Sequence, residues 1–446
     1  MDKRFWKKVL YIGVPVALQN LINTFVNVID TFMIGSLGED YVSAVGLANR
    51  VFFVMSLLVF GIVSGSSVLL SQYFGKGDTK NLNRTYGFMN MLALGGASIF
   101  FILGVSVPSL LMRIFTNSPT LIEIGTPYLR IVSVSYLFTA FSMAASGLFR
   151  SINRTRAPMV FTFAGVIVNV IFNYLFIFGK LGFPELKANG AAIGTIIARF
   201  TEFACMVIYL KITKNKYDLS IKEMLNINKE IVKKNLKFAV PVIINEFGWG
   251  LGTTMYSVIY GHMNDNVVAA MTIASALQDL VYALLFGVST ACSVIVGNEL
   301  GANHLDEAKK SAKKLLITGI IISAALSGIL IALVKPYTSL YKTTEIVETY
   351  IFRVCIVYAI LMPARTFNLI NIVGILRSGG DTMFCMILEL LSLWAYAIPM
   401  GSLGAFGLNL EITWVFLMLE SEQLIKVIVG TIRFKQEKWV RNIVIN

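Results

Sequence analysis

The sequence has 446 residues, of which 56% are hydrophobic and 14% are charged, and its mean hydropathy is +0.73. This apolar content exceeds that of a soluble domain and predicts that most of the chain lies in a lipid bilayer. The formal net charge is +13. We interpret this charge as basic loops that set membrane topology and face anionic lipid, so it indicates no nucleic-acid partner.

Long apolar runs predict about twelve transmembrane helices, each near the roughly 20 residues that cross a bilayer. In chain order these spans cover 9–35, 42–74, 87–110, 127–148, 158–178, 190–210, 238–261, 273–297, 315–334, 350–376, 383–399 and 412–432. A β-barrel is excluded because its strands alternate in polarity over about ten residues. The fold class predicted is therefore an all-α integral membrane protein.

The sequence is also duplicated. Residues that recur at an offset of 226 are Pro15, Gly35, Gly61 and Gly75, matched by Pro241, Gly261, Gly287 and Gly301. Arg150, Ser151 and Thr155 recur as Arg377, Ser378 and Thr382, at an offset one residue larger. Six spans per half is an even number, so both halves enter the membrane from the same side and form parallel repeats. This predicts an N-lobe over 1–225, ending in a polar linker, and a C-lobe over 226–446.

Basic residues are concentrated at the amino terminus, in the loops after even-numbered spans, in the central linker and in the tail. By the positive-inside rule, this asymmetry places both termini in the cytoplasm. The recurring glycines suit close helix packing, with a moving hinge as the alternative.

Enzyme signatures are missing from the sequence. The stretch from Phe74 to Gly77 lacks the flanking residues of a Walker A loop. The two histidines are too far apart for a zinc-protease motif, and the four cysteines have no metal-ligand spacing. We therefore expect no enzymatic activity, no cofactor and no structural metal.

Ionisable residues inside spans are the main functional candidates, because a lone charge there costs about 2.5–3.5 kcal/mol on insertion scales. Arg199 and Glu202 are three residues apart, so this pair can neutralise itself on one helix face, as can Glu422 with Lys426, four apart. Asp30 and Glu246 have no basic residue within one helical turn. Each needs a distant counter-charge, a proton or a metal cation, and Asp279 is a third candidate. A cation antiporter needs at least one desolvated carboxylate that alternately binds a proton, Na⁺ or an organic cation.

Polar residues in the same spans extend this hypothesis. The predicted coupling group for Na⁺ or H⁺ consists of Asp30, Asn169, Asn173, Thr195 and Glu246, with Na⁺ a candidate ion at Asp30. The candidate cargo-binding residues are Asn20, Asn245, Trp249, Tyr256, Asp279, Asn368 and Asn371. The amides have an alternative role in hydrogen bonds between helices. The aromatic rings suit stacking on a flat cation or contact with lipid.

In its motifs the chain resembles the multidrug and toxic compound extrusion (MATE) family of transporters, in order and over essentially its whole length. The resemblance is carried by residues 15–19 and 30–38 of span 1, 72–75 of span 2, 169–179 of span 5 and the loop 376–382. It implies two six-helix lobes around a V-shaped cavity, with Asp30 in ion coupling and an acid of span 7 or 8 in the second lobe. Many relatives carry aspartate where Asn173 stands.

The resemblance further implies a bacterial protein of the cytoplasmic membrane that exports organic cations or drugs in exchange for Na⁺ or H⁺ by alternating access. Its expected partners are small organic cations and membrane lipids, and we expect a monomer. One alternative is a flippase for a lipid-linked or other anionic substrate, with Arg199 and Arg365 lining a cationic cavity. A second alternative is a membrane scaffold without transport activity.

Overall fold

A computed structural model describes residues 3–341 and 343–445, and helices dominate it. The helices of the first part are α1 (Lys3–Gly35), α2 (Glu39–Lys76), α3 (Thr79–Ser106), α4 (Pro108–Phe115), α5 (Pro119–Val132), α6 (Ser135–Ser151), α7 (Arg156–Phe178), α8 (Lys187–Thr213) and α9 (Ile221–Leu225). They continue with α10 (Lys229–Met263), α11 (Asp265–Gly301), α12 (Leu305–Thr338), α13 (Glu345–Asn368), α14 (Thr382–Leu390), α15 (Ile398–Ser402), α16 (Ile412–Glu420) and α17 (Glu422–Lys435). Three π-helical segments lie among the last of these, at Leu369–Leu376, Leu391–Ala397 and Leu403–Gly407.

Among the described residues, nine helices are long and apolar enough to cross a membrane. A tenth span is formed if α5 and α6, which are bent by 49° at a short break, count as one. The two remaining predicted spans correspond to α10 and to the α16–α17 pair. Amide, glycine and acidic residues lower the hydropathy of α10, and α16 and α17 are each shorter than one span. The all-α membrane fold is thus confirmed.

Local sequence explains several helix ends. Asp78 precedes α3 and accepts a hydrogen bond from the backbone N–H of Asn81, and Asn264 precedes α11 and accepts one from Val267. Such side-chain caps satisfy N–H groups that the first turn leaves unpaired. At the other end of α7, Gly179 adopts φ 61°, a left-handed conformation that glycine adopts without strain. Pro15 and Pro241, equivalent positions of the duplication, both lie inside long helices.

The chain forms two compact units. The N-half unit contains 18–70 and 78–243, and the C-half unit contains 1–17, 71–77 and 244–446. Helices α1, α2 and α10 therefore each contribute residues to both units. The boundary predicted near residue 225 separates the two halves of the sequence duplication, which is a different division from that into compact units. It stays a prediction.

Close glycine packing holds helices together inside each unit. In the N-half unit, a Cβ atom on Gly65 would overlap the backbone of Ala239. In the C-half unit, a Cβ on Gly75 would overlap the carbonyl of Asn298, and one on Gly301 would overlap that of Gln72. Gln72 and Asn298 are themselves 226 residues apart, so this contact is reciprocal with respect to the duplication. Close packing of this kind agrees with the role expected for these glycines.

The apolar core of the C-half unit lies between α11, α12, α13 and α16. Its members include Leu277, Leu330, Val354 and Val415, all buried. Cys292, Cys355 and Cys385 are buried free thiols, in keeping with their expected role as small core residues.

Candidate functional site

Asp30, on α1, meets α7 in the N-half unit. The Asn173 amide donates a hydrogen bond to Asp30 Oδ1 with an N–O distance of 2.7 Å, and the same nitrogen lies 3.3 Å from Asn169 Oδ1, one turn earlier. Both asparagines are buried and Asp30 is half-buried. The Asn173 Oδ1 atom is buried with no hydrogen-bond partner in the described part of the chain. The carboxylate is therefore held by a neutral amide next to an unsatisfied oxygen.

A glycine allows α8 to approach this group. A Cβ atom on Gly194 would overlap Asn173 Oδ1 and press on the Asn173 backbone. On the same helix pair, a Cβ on Gly165 would come within 3.3 Å of the Ala198 carbonyl oxygen. Helices α7 and α8 thus pack closely along the face that carries the asparagines, because small residues let backbones approach.

A second polar chain joins α1, α7 and α8 in the same unit. Gln19 Nε2 donates to Thr162 Oγ1 at 2.9 Å, and the Thr162 hydroxyl donates to Glu202 Oε1 at 2.7 Å. Arg199 donates to the other carboxylate oxygen, Glu202 Oε2, at 3.0 Å, which is the pairing expected from their spacing. Asp30 belongs to the same unit as this ion pair. The three charged groups together carry one net negative charge.

The C-half unit contains a different arrangement, in which one arginine binds two acids. Arg377 donates from Nη1 to Glu246 Oε1 and from Nη2 to Glu389 Oε2, each at 3.0 Å. Asn245 Nδ2 donates to Glu389 Oε2 at 2.5 Å. The Arg377 side chain is 4% exposed. Glu246 therefore has the distant counter-charge that its own helix lacks, and we refer to Arg377, Glu246 and Glu389 as the arginine clamp.

Further polar residues of this unit bond mainly to α16 and α17. Asn368 Nδ2 donates to the backbone oxygen and to Oε1 of Gln423, at 2.8 and 2.9 Å, and Asn371 Nδ2 donates to the Gly430 carbonyl at 3.0 Å. Lys426 pairs with Glu422 at 2.9 Å, as its spacing predicted. Arg365 pairs with Glu420 and lies 4.9 Å from the centre of the Tyr358 ring.

The remaining predicted site residues take no part in these groups. Asn20 and Thr195 are half-buried on α1 and α8, and Asp279 and Trp249 are exposed on α11 and α10. The Tyr256 hydroxyl donates a long hydrogen bond, 3.4 Å, to the Leu419 carbonyl. Among the described residues, no group of three or more His, Cys, Asp or Glu could hold a metal ion.

Sequence reasoning missed the arginine clamp, although its members were in view. Glu389 is an acid inside a predicted span, and Arg377 belongs to both the duplication and the loop motif. The signal was the recurrence of Arg150 as Arg377 together with two acids in spans that have no base nearby. Spacing along one helix could not show that Arg377 and Glu246, which are 131 residues apart in the chain, are bonded to each other.

Apolar helices of membrane-spanning length, with ionisable side chains bonded to one another inside each unit, are typical of a multi-pass membrane protein. The chain belongs to the MatE family, because the model of that family, described as MatE, matches residues 15–175 and 241–403. The two matches fall on the two halves of the duplication. The protein is thus a membrane transporter and not an enzyme.

Individual relatives agree with this assignment. The "Uncharacterized transporter YisQ" of Bacillus subtilis is 24% identical over 438 residues, which cover 96% of this chain and 93% of that protein. The "Probable multidrug resistance protein NorM" of Thermotoga maritima is 23% identical over 445 residues, covering 98% and 94%. A solved structure described as MATE in the straight conformation is 17% identical, with a TM-score of 0.88 over 97% of this chain and 96% of that one. At that identity the structural likeness is one of fold.

Proposed function

We propose that the protein is a secondary antiporter that exports organic cations or drugs in exchange for Na⁺ or H⁺, with Asp30 as the coupling carboxylate. The observation that carries the proposal is the Asp30 environment, in which the hydrogen-bonding partner is the neutral amide of Asn173. Arg199 is bonded to Glu202, so the group retains one negative charge. Burying an uncompensated charge is costly, and a proton or Na⁺ relieves that cost.

Binding at Asp30 drives transport only if the cation has different affinities for the outward-facing and inward-facing states. Asn169, Asn173 and Thr195 are the proposed neighbours of the ion. Asn173 Oδ1 supports this proposal, because a buried oxygen without a partner is a ready ligand for a hard cation. We also assign Glu246 to ion coupling, as a member of the arginine clamp, in which Arg377 neutralises part of its charge.

The charges of the C-half unit favour a cationic cargo. The arginine clamp has two carboxylates and one guanidinium, which leaves one negative charge. The proposed cargo contacts are Asn20, Asn245, Trp249, Tyr256, Asp279, Asn368 and Asn371. Both arginines that are candidates for binding an anionic cargo, Arg199 and Arg365, are bonded to glutamates. A lipid-linked anion is therefore the less favoured cargo.

The experiment is ethidium efflux from energised cells that express the wild type, Asp30→Asn or the control Asp40→Asn, with Na⁺ present or replaced by K⁺. Asp40 is an exposed acid at the start of α2. We expect efflux by the wild type and the control, and its loss in Asp30→Asn. Dependence on Na⁺ would identify the coupling ion. Absence of efflux by correctly inserted wild-type protein, or full efflux by Asp30→Asn, would contradict the proposal.

A further inference from the structure

Two levels along the helix axes of the N-half unit are marked by polar contacts, and Arg199 on α8 lies between them. Gln19, Thr162 and Glu202 mark one level, through the hydrogen bonds that join them. Asp30, Asn173 and Gly194 mark the other, through the Asn173 hydrogen bond and the close packing of Gly194. Asp30 follows Gln19 by the same number of residues as Asn173 follows Thr162, so α1 and α7 run parallel between the two levels.

Helix geometry places Arg199 between these levels. It is three residues from Glu202, about 4.5 Å along the axis of α8, and five residues from Gly194, about 7.5 Å. Side chains on a helix lean toward its N-terminus, and on α8 that direction leads from Glu202 toward Gly194. The Arg199 side chain, which bonds Glu202 in this structure, can thus extend along α8 toward the level of Asp30.

The contacts of Glu202 allow Arg199 to leave it. The Thr162 hydroxyl bonds one oxygen of Glu202 and Arg199 bonds the other, so departure of Arg199 leaves Glu202 with one hydrogen bond. The Glu202 side chain is 7% exposed, whereas that of Arg199 is 30% exposed. The acid is fixed by its surroundings and the arginine has room to move.

We propose that Arg199 is a tethered counter-cation that turns from Glu202 to Asp30 when the coupling cation leaves. This proposal rests on the proposed function, because it requires that Asp30 bind the coupling cation. Arg199 is a positioning residue: it stabilises the empty carboxylate, lowers the affinity for the cation and permits its release. The turn moves the uncompensated charge from Asp30 to Glu202, which keeps its hydrogen bond from Thr162.

Three variants separate this role from a fixed ion pair. In Arg199→Gln the competing charge is lost, so we expect about tenfold tighter binding of the coupling cation. In Glu202→Gln the arginine is released to Asp30, so we expect about tenfold weaker binding. The double variant Arg199→Gln/Glu202→Gln removes both charges. A fixed pair predicts wild-type affinity for the double variant, whereas a tethered counter-cation predicts tighter binding and slower turnover.

The measurement is the concentration of Na⁺ or H⁺, whichever drives the wild type, that gives half-maximal ethidium transport in proteoliposomes. Arg353→Gln/Glu411→Gln is the matched control, because it removes an exposed ion pair of the C-half unit. Wild-type affinity in the double variant would overturn the arginine proposal and leave the proposed function intact. Equal loss of transport in all three variants with unchanged affinity would also overturn it. Cation-independent transport by the wild type, or full coupling in Asp30→Asn, would contradict the proposed function itself.

Discussion

Each half of this transporter has a hydrogen bond at the same position of the duplication, but the charges of the residues around it differ between the halves. In the N-half unit, Gln19 donates to Thr162, and in the C-half unit Asn245 donates to Glu389. The donors are 226 residues apart and the acceptors 227, so these bonds occupy equivalent positions of the duplication. A neutral hydroxyl accepts in one half, and a carboxylate accepts in the other.

The difference extends to the charged groups nearby. Glu246 corresponds to the neutral Asn20, and the clamping Arg377 corresponds to Arg150. In the described part of the chain, Arg150 makes no ion pair, whereas Arg377 binds two acids. The C-half unit therefore fixes its acids with a resident arginine, whereas the N-half unit leaves Asp30 with an amide. Related halves of one chain thus surround equivalent positions with different charges: two acids bonded to an arginine in the C-half unit, and one acid bonded to an amide in the N-half unit.

Removing the arginine that binds both acids of the C-half unit should destabilise the protein most. Arg377→Met leaves Glu246 and Glu389 without their guanidinium, and breaking a buried ion pair in this way costs about 3–5 kcal/mol. The measurement is the free energy of unfolding in mixed detergent micelles. The matched variant Arg353→Met breaks an exposed pair with Glu411 and should cost at most about 1 kcal/mol. Equal losses in the two variants would show that the arginine clamp is not a stabilising joint.

A smaller effect is expected where α8 approaches Asp30. Gly194→Ala places a methyl group against Asn173, and overpacking of this kind costs about 1–3 kcal/mol. Coupled transport should fall with it, because Asn173 is displaced from Asp30. The control is Gly95→Ala on α3, where a Cβ meets no atom within 4 Å. Unchanged stability and coupling in Gly194→Ala would refute the close packing described for this site.

Asn173→Asp gives the N-half unit a second acid beside Asp30, so that it has two adjacent acids like the C-half unit. We expect one additional cation per cycle, because two adjacent carboxylates repel each other unless one is neutralised. The Hill coefficient for the coupling cation should rise from about one to about two. Asn117→Asp adds the same charge to an exposed loop and serves as the control. An unchanged coefficient in Asn173→Asp would mean that this position does not contact the ion.

The smallest change in stability is expected for a variant of Tyr256. This variant tests whether the Tyr256 hydroxyl has a structural role or contacts the cargo in the C-half unit. Tyr256→Phe removes a hydroxyl whose hydrogen bond to Leu419 is long, 3.4 Å. Its loss should change the free energy of unfolding by less than about 1 kcal/mol. Ethidium affinity should change little if stacking by the ring is the main contact. A large fall in affinity at unchanged stability would instead assign the hydroxyl to the cargo site.

Much of the fold was predictable because its signals can be read along the sequence. Apolar runs of span length identified the membrane helices, and the recurrence of Pro15 as Pro241 identified the duplication. The pairing of Arg199 with Glu202 and of Glu422 with Lys426 followed from helical spacing and is confirmed. The predicted site was harder, because its residues lie on different helices. Asn173 does contact Asp30, whereas Asn368 and Asn371 bond to α17.

Composition and spacing were enough to identify the membrane class, the parallel halves and the acids inside spans that require a partner. Which partner each acid has depends on the tertiary structure. A helix fixes the distance between residues three or four apart, since its rise and turn are constant. The contacts of Asp30 with Asn173, 143 residues away, and of Glu246 with Arg377, 131 residues away, depend on how helices are rotated and packed. That packing gave Glu246 a resident guanidinium and left Asp30 with a neutral amide.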